Sequence, residues 1–140
     1  MPQNQIDHLL NEGQWEEAIR VWMTSLPVPV LALKLAEQLR NTQPPDTHHL
    51  LEAIYKWYHQ PEETLRWEIF EQAKEVGFST PSGALALSLF WSQGSMSPAG
   101  LEPIYPDLQL SGQMLHCALV MHIAHLADTP VESVRQWLKS

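Results

Sequence analysis

The chain is 140 residues long, with 44% hydrophobic residues, 17% charged residues and a formal net charge of −8 at pH 7. That is the size of one compact domain, and six Trp supply the apolar mass for a core, so a disordered chain is excluded. An acidic chain with no basic stripe repels phosphate, which argues against nucleic acid and anionic membrane surfaces as partners.

Along the chain, a short helix is predicted over Ile6–Asn11, ending near Gly13. Trp15, Ala18, Ile19, Trp22, Met23 and Leu26 then recur at helical spacing, with Glu16, Glu17 and Arg20 on the other face. Pro27 and Pro29 stop that helix, because proline lacks the donor and clashes with the preceding turn. Val30–Arg40 follows, with Leu31, Leu35, Ala36 and Leu39 on one stripe, and residues 41–45 form a loop. Asp46 or Thr47 caps a helix over His48–His59, apolar through Leu51, Ile54, Tyr55, Trp57 and Tyr58.

Pro61 suits the first position of the next helix, with Glu62 and Glu63 near the positive end of its dipole. Leu65, Ile69, Phe70, Ala73 and Val76 form its inner face, and Gly77 its C-terminal cap. Thr80 caps a small-residue helix that opens with Pro81, runs through Trp91 and ends at Gly94. Ser95–Gln109, with Pro98, Pro103 and Pro106, is an irregular connector. Ser111 caps a long helix over Gln113–Ala127, and the capping box Thr129-Pro130-Val131-Glu132 opens a last helix, Val131–Leu138. No stretch alternates in polarity between turn signals, so no sheet is expected. The expected fold is one all-α domain over 1–140, with seven or eight short antiparallel helices.

Between Val76 and Ala127 the only formal charges are Glu102 and Asp107. Charges stay where water is, so this stretch is expected to be the packed centre. Its longest apolar run, Met114–Ala127, falls short of the roughly 20 residues needed to cross a bilayer, and no membrane insertion is expected. Cys117 is the only cysteine, so no intrachain disulfide forms, which suits a reducing cytoplasm. The first residues carry no basic and apolar leader pattern, so no secretory signal is expected.

Candidate chemistry is sparse. His122, His125 and Asp128 are spaced three apart on a helix, a pattern that can ligate a metal; the plainer reading is hydrogen-bonded histidines at the core edge. His116 is out of phase with them. His48 and His49 read as a solvated first turn. Cys117 adjoins His116, but neighbouring helical residues diverge by about 100°, so Cys117 reads as a small hydrophobe. Ser92, Ser95 and Ser97 lack the strand and Gly-x-Ser-x-Gly of a nucleophile elbow and read as turn and capping residues. Glu62, Glu63, Glu68, Glu71 and Glu75 read as a wet helix face that can also steer a basic partner. Trp67 lies partly off the Leu65–Ile69–Ala73 stripe and is the aromatic best placed as an exposed anchor.

Two resemblances accompany this reading. Leu9-x-x-x-Gly13-x-Trp15-x-x-Ala18 resembles the turn of one tetratricopeptide repeat; no second copy follows about 34 residues on, so a local helical hairpin is expected and not an array. Phe90-Trp91-Ser92-Gln93-Gly94-Ser95-Met96-Ser97-Pro98, with Gly77-Phe78-Ser79-Thr80-Pro81 before it and Leu110–Ala127 after it, resembles a bacterial family of small helical proteins of unknown function often found beside type VI secretion genes. That resemblance implies an accessory role and carries over no catalytic residue. The chain departs from that pattern in having His and Met in its last long helix, where Ala and Val are usual.

The expected function is therefore non-enzymatic protein binding, as an adaptor or chaperone-like accessory protein of the cytoplasm, with no cofactor. The partner would be a secretion component, an effector or a toxin. Trp67, Met96, Leu101, Ile104, Tyr105 and Asp107 are the expected contact residues. The alternatives are an immunity-type inhibitor whose acidic face plugs a toxin, and, more remotely, a small metalloprotein using His122, His125 and Asp128.

Overall fold

The computed structural model describes residues 2–98, 100–107, 109–126 and 129–139. Among them are eight α-helices, one short 3-10 turn at Pro45–Thr47 and no strand. The helices are α1 (Pro2–Asn11), α2 (Trp15–Met23), α3 (Val28–Thr42), α4 (His48–His59), α5 (Glu63–Val76), α6 (Pro81–Ser92), α7 (Leu110–Leu126) and α8 (Pro130–Lys139). The all-α expectation holds.

The centre is α6. Every residue from Ser82 to Phe90 is buried, as expected of a helix that is apolar all round. It packs most extensively on α7, and also on α5, α3 and α4. Each of its leucines contributes about 1.5–3 kcal/mol by leaving water. Two buried hydroxyls stitch α6 to α7: Ser88 Oγ donates to the Ser111 carbonyl, and Ser111 Oγ donates to the Ser88 carbonyl, each at 2.7 Å. Ser111 is therefore not the cap of α7. It lies inside the first turn, and Asp107 takes the turn before it, its Oδ1 accepting from the Gln109 N–H at 2.9 Å.

The dry-centre expectation holds less well for α7. Leu115, Ala118, Leu119, His122 and Ile123 are buried, but Gln113, Cys117 and Ala124 face solvent. Cys117 is thus exposed, not packed as a small hydrophobe. The absence of charge on α7 does not make its outer face buried.

The N-terminal hairpin forms as expected. Gly13 adopts φ +79°, which a residue with a Cβ rarely does, and the Gln14 N–H reaches the Leu9 carbonyl at 2.8 Å while Gly13 N–H reaches Leu10 at 3.1 Å. This paired closure satisfies the last carbonyls of α1 and turns the chain into α2. Other boundaries shift. Pro27 and Pro29 do not merely end α2; Pro27 flanks α3 with extended backbone, and Pro29 sits in its first turn, where its missing N–H costs nothing. The chain leaves α2 at Met23, and Leu26 is partly exposed beyond it. Pro61 lies ahead of α5, which starts at Glu63. Neither Asp46 nor Thr47 caps α4 with its side chain; Thr47 Oγ1 bonds back to the Pro44 carbonyl at 2.7 Å within the 3-10 turn. By contrast, Thr80 caps α6 as expected, its Oγ1 accepting from the Gly83 N–H at 3.1 Å.

Two helix faces differ from the expected stripes at single residues, while Leu51, Ile54, Trp57, Ile69 and Ala73 are buried as expected. On α4, Leu50 is buried and Tyr55 is 53% exposed, lying against the His59 ring. On α5 the buried residues are Arg66, Ile69 and Ala73. The helices α2, α3 and α8 meet around Lys34, whose ammonium lies 5.4 Å from the Trp22 ring and 4.6 Å from the Trp137 ring. Burial pulls the Lys34 pKa down.

Tyr58 on α4 has its hydroxyl buried with no protein partner among the described residues, and burial pushes its phenol pKa well above the ordinary value. A raised folded-state pKa gives stability that is whole below pH about 10, where the unfolded phenol ionises, and that is lost as pH climbs beyond it. We expect alkaline unfolding to begin near there, and Tyr58→Phe to blunt it while leaving stability at neutral pH unchanged or raised by about 1 kcal/mol. Denaturant titrations of both proteins across alkaline pH check this.

Candidate functional site

Among the described residues one cation is fully buried. Arg66 has 0% relative exposure and is the largest fully buried side chain. Its position follows from helical phase: it shares a face with Ile69 and Ala73, three and seven residues on. It is tolerated because its donors are met. Nε and Nη2 donate to the Phe90 carbonyl at 3.0 and 2.8 Å, Nη2 also to the Ser95 carbonyl at 2.9 Å, and Nη1 to Glu63 Oε1 at 2.8 Å. The guanidinium carbon lies 4.0 Å from the Phe90 ring centroid and 5.8 Å from that of Trp67.

Phe90 O is among the last carbonyls of α6, which have no partner within the helix. Arg66 therefore terminates α6 and also grips the first residues of the connector. Burial lowers its pKa, while the charge and hydrogen bond of Glu63 raise it; guanidinium stays protonated throughout. Gly94 belongs to the same device. It turns at φ +83°, and a Cβ there would come within 2.9 Å of Arg66 Nη1.

Ser95 then shapes the connector. Its Oγ donates to the Ile104 carbonyl at 3.2 Å and accepts from the N–H groups of Ser97 and Ile104 at 3.0 and 2.9 Å. Met96 N–H reaches the Ile104 carbonyl at 2.6 Å, so the two ends of 95–104 are closed on each other. A loop with its ends joined this way is a compact unit and not a loose strap. Gly94 and Ser95, with Phe90, thus have structural work in the motif, as the capping and turn reading of the serines expected.

What the clamped loop presents is apolar. Leu101, Ile104 and Tyr105 are 65%, 57% and 70% exposed. Met96 is half-buried, and exposed Asp107 is engaged at the start of α7. Trp67 is half-buried, with Nε1 donating to Glu63 Oε1 at 3.0 Å and its ring meeting Phe90 edge-on at 4.8 Å. Between them runs an open groove of about 580 Å³, with Glu63, Thr64 and Trp67 on one wall and Ser97, Pro98, Leu101 and Pro103 on the other. On the far side of Trp67 a shallower hollow is lined by Thr64, Glu68, Glu71 and Gln72. The structure thus brings Trp67 and Leu101 to one groove and leaves Ile104, Tyr105 and Asp107 outside its lining.

Arg66 does not stand out in the sequence because, as a charge beside Trp67, it reads as surface. Its spacing to Ile69 and Ala73 was the available signal.

The histidines disperse. His116 Nε2 donates to the Glu16 carbonyl of α2 at 2.9 Å, and buried His122 places Nε2 3.3 Å from Gln38 Oε1 of α3. The side chain of His125 and all of Asp128 lie outside the described residues. Among the described residues no group of three His, Cys, Asp or Glu is placed to hold a metal ion. Among the described residues, no helix is long and apolar enough to cross a membrane.

No curated protein and no solved structure matches the chain. Residues 5–140 match the model of a family of unknown function, DUF6931, and the chain belongs to that family.

Proposed function

We propose that this protein is a non-enzymatic binding module that docks another protein on the connector and the adjoining Trp67 groove. The observation that carries this reading is the exposure of Leu101 and Ile104 on a loop fastened at both ends, with Tyr105 exposed directly after it. Apolar side chains held out on a fixed loop lose little freedom on binding, so their burial goes into affinity. Association with type VI secretion, as an adaptor or chaperone-like accessory protein in the cytoplasm, rests on the resemblance of Phe90–Pro98 and its flanks. The immunity-type reading is favoured by one further feature: residues 61–107 hold seven carboxylates and two cations.

Affinity capture from the native cell, followed by reconstitution with the captured protein, tests this. Leu101→Ser and Tyr105→Ala should each weaken the complex about tenfold or more, as loss of an apolar anchor does, without lowering Tm. Trp67→Ala is a poorer probe, because Trp67 also packs on Phe90. If both connector variants bind as the parent does, the site is elsewhere. Loss of a captured toxin's activity on binding assigns the inhibitor role.

A further inference from the structure

The groove beside Trp67 has a chemistry of its own. Its lining is apolar through Trp67, Pro98, Leu101 and Pro103. Its titratable neighbours are carboxylates: Glu63 on the wall, then Glu68 and Glu71 in the hollow across the Trp67 ring. Of the two cations in this part of the chain, Arg66 is buried and Lys74 is paired with Glu71 at 3.1 Å. Glu63 is thus charge-paired with Arg66 and Glu71 with Lys74, and Glu68, which has no ion pair among the described residues, carries the unbalanced negative charge of the lining. Glu63 Oε1 already receives both Arg66 Nη1 and Trp67 Nε1, which fixes this carboxylate in place while its side chain stays 61% exposed.

Resting on the reading of this groove as the docking site, we propose that its occupant is a basic amphipathic segment of the partner protein. One apolar side chain of that segment enters between Trp67 and Leu101. Flanking Lys or Arg side chains lie over Glu63, Glu68 and Glu71, with the Trp67 ring within reach as a cation–π face. The volume of about 580 Å³ suits one or two large side chains and not a whole domain surface. An aromatic ring bordered by carboxylates attracts a cation by both its quadrupole and the neighbouring charge. A neutral segment would leave the carboxylates partly desolvated without recompense, and an acidic one would be repelled.

The test uses the intact protein and three short synthetic peptides: one alternating Lys with Leu and Phe, one with every Lys replaced by Gln, and one with Leu and Phe replaced by Ser. Binding is followed by fluorescence anisotropy and by the indole N–H signal of Trp67 in NMR spectra. The first peptide should bind and shift the Trp67 signal; the other two should bind at least about tenfold more weakly. Glu68→Gln with Glu71→Gln should weaken the first peptide about tenfold, and raising salt from about 50 to about 500 mM should do the same. Equal binding of the Gln peptide, or of the Ser peptide, overturns the proposal, as does binding that leaves the Trp67 signal unmoved or no binding of the first peptide. A photo-crosslinker at position 101 separates the two readings. A partner protein crosslinked there through a neutral or acidic segment keeps the docking groove and overturns the basic occupant; the lack of any crosslink dependent on that position overturns the groove itself.

Discussion

Arg66→Ala is expected to destabilise the protein by about 3–5 kcal/mol, the largest loss from any single side chain. The substitution empties the space of the largest fully buried side chain. It also strands the Phe90 and Ser95 carbonyls, which together receive three of the guanidinium bonds. Each buried carbonyl left without a donor costs about 1–3 kcal/mol. Against a total stability of about 5–15 kcal/mol this is a large fraction, and Tm should fall by roughly 10–20 °C. Arg66→Lys keeps the charge but not the planar fork that serves two carbonyls and a carboxylate at once, so it should rescue little. Glu63→Gln removes a partner that is itself mostly exposed and should cost no more than about 1 kcal/mol. Equilibrium denaturation of the three variants checks the order. An Arg66→Ala protein within about 0.5 kcal/mol of the parent would mean that the guanidinium does not hold α6 to the connector.

Gly83→Ala is expected to cost about 2–4 kcal/mol, although alanine is the better helix former by about 1 kcal/mol. A Cβ at residue 83 would overlap the Gly77 carbonyl oxygen and lie 2.8 Å from its carbon. That oxygen cannot retreat freely. Thr80 Oγ1 donates to it at 2.7 Å while also accepting from the Gly83 N–H at 3.1 Å, and Gly77 itself turns at φ +101°. The α5–α6 corner is built on that close approach, so an added methyl has to break the cap of the central helix. Gly112→Ala in α7 is the matched control. Nothing lies within 4 Å of a Cβ there and φ is ordinary for a helix, so this change should stabilise by about 0.5–1 kcal/mol. Thermal melts of the pair should move in opposite directions; a Gly83→Ala protein as stable as the parent would show that the corner yields.

The legible and illegible parts of this fold separate by cause. The helix α6 was readable to its first residue, because Thr80-Pro81 is a local signal and the structure uses it locally. Gly13 and Gly77 were readable for the same reason. Pro29 was misread because a proline stops one helix and starts another with the same ring; only the neighbouring chain decides which. Ser111 was misread because a serine near a helix start is a cap by default, whereas here its hydroxyl serves the Ser88 carbonyl of α6. Cys117 was misread because lack of charge in a sequence does not say which side of a helix is covered.

The candidate site was legible in its parts and not in its joint. Leu101, Ile104 and Tyr105 stood out as apolar residues in a proline-rich connector, and Trp67 as an aromatic off its stripe. What brings Trp67 and Leu101 to one groove is a buried arginine, and burial of a charge depends on partners far along the chain. Phe90 and Ser95 lie 24 and 29 residues from Arg66, beyond the reach of helical periodicity.

The central claim is that the Ser95 hydroxyl, on a residue whose carbonyl Arg66 grips, holds the connector closed before any partner arrives. Hydrogen exchange at the Met96, Ser97 and Ile104 amides in the free protein measures this directly, because the Met96 and Ile104 N–H groups are bonded across the loop closure and the Ser97 N–H is bonded to the same Ser95 hydroxyl. Slow exchange in the parent, rising towards the rate of an open chain in Ser95→Ala while the α6 and α7 amides stay slow, is the predicted result. Exchange at those three amides as fast as in an unstructured peptide, in the parent protein itself, would contradict it.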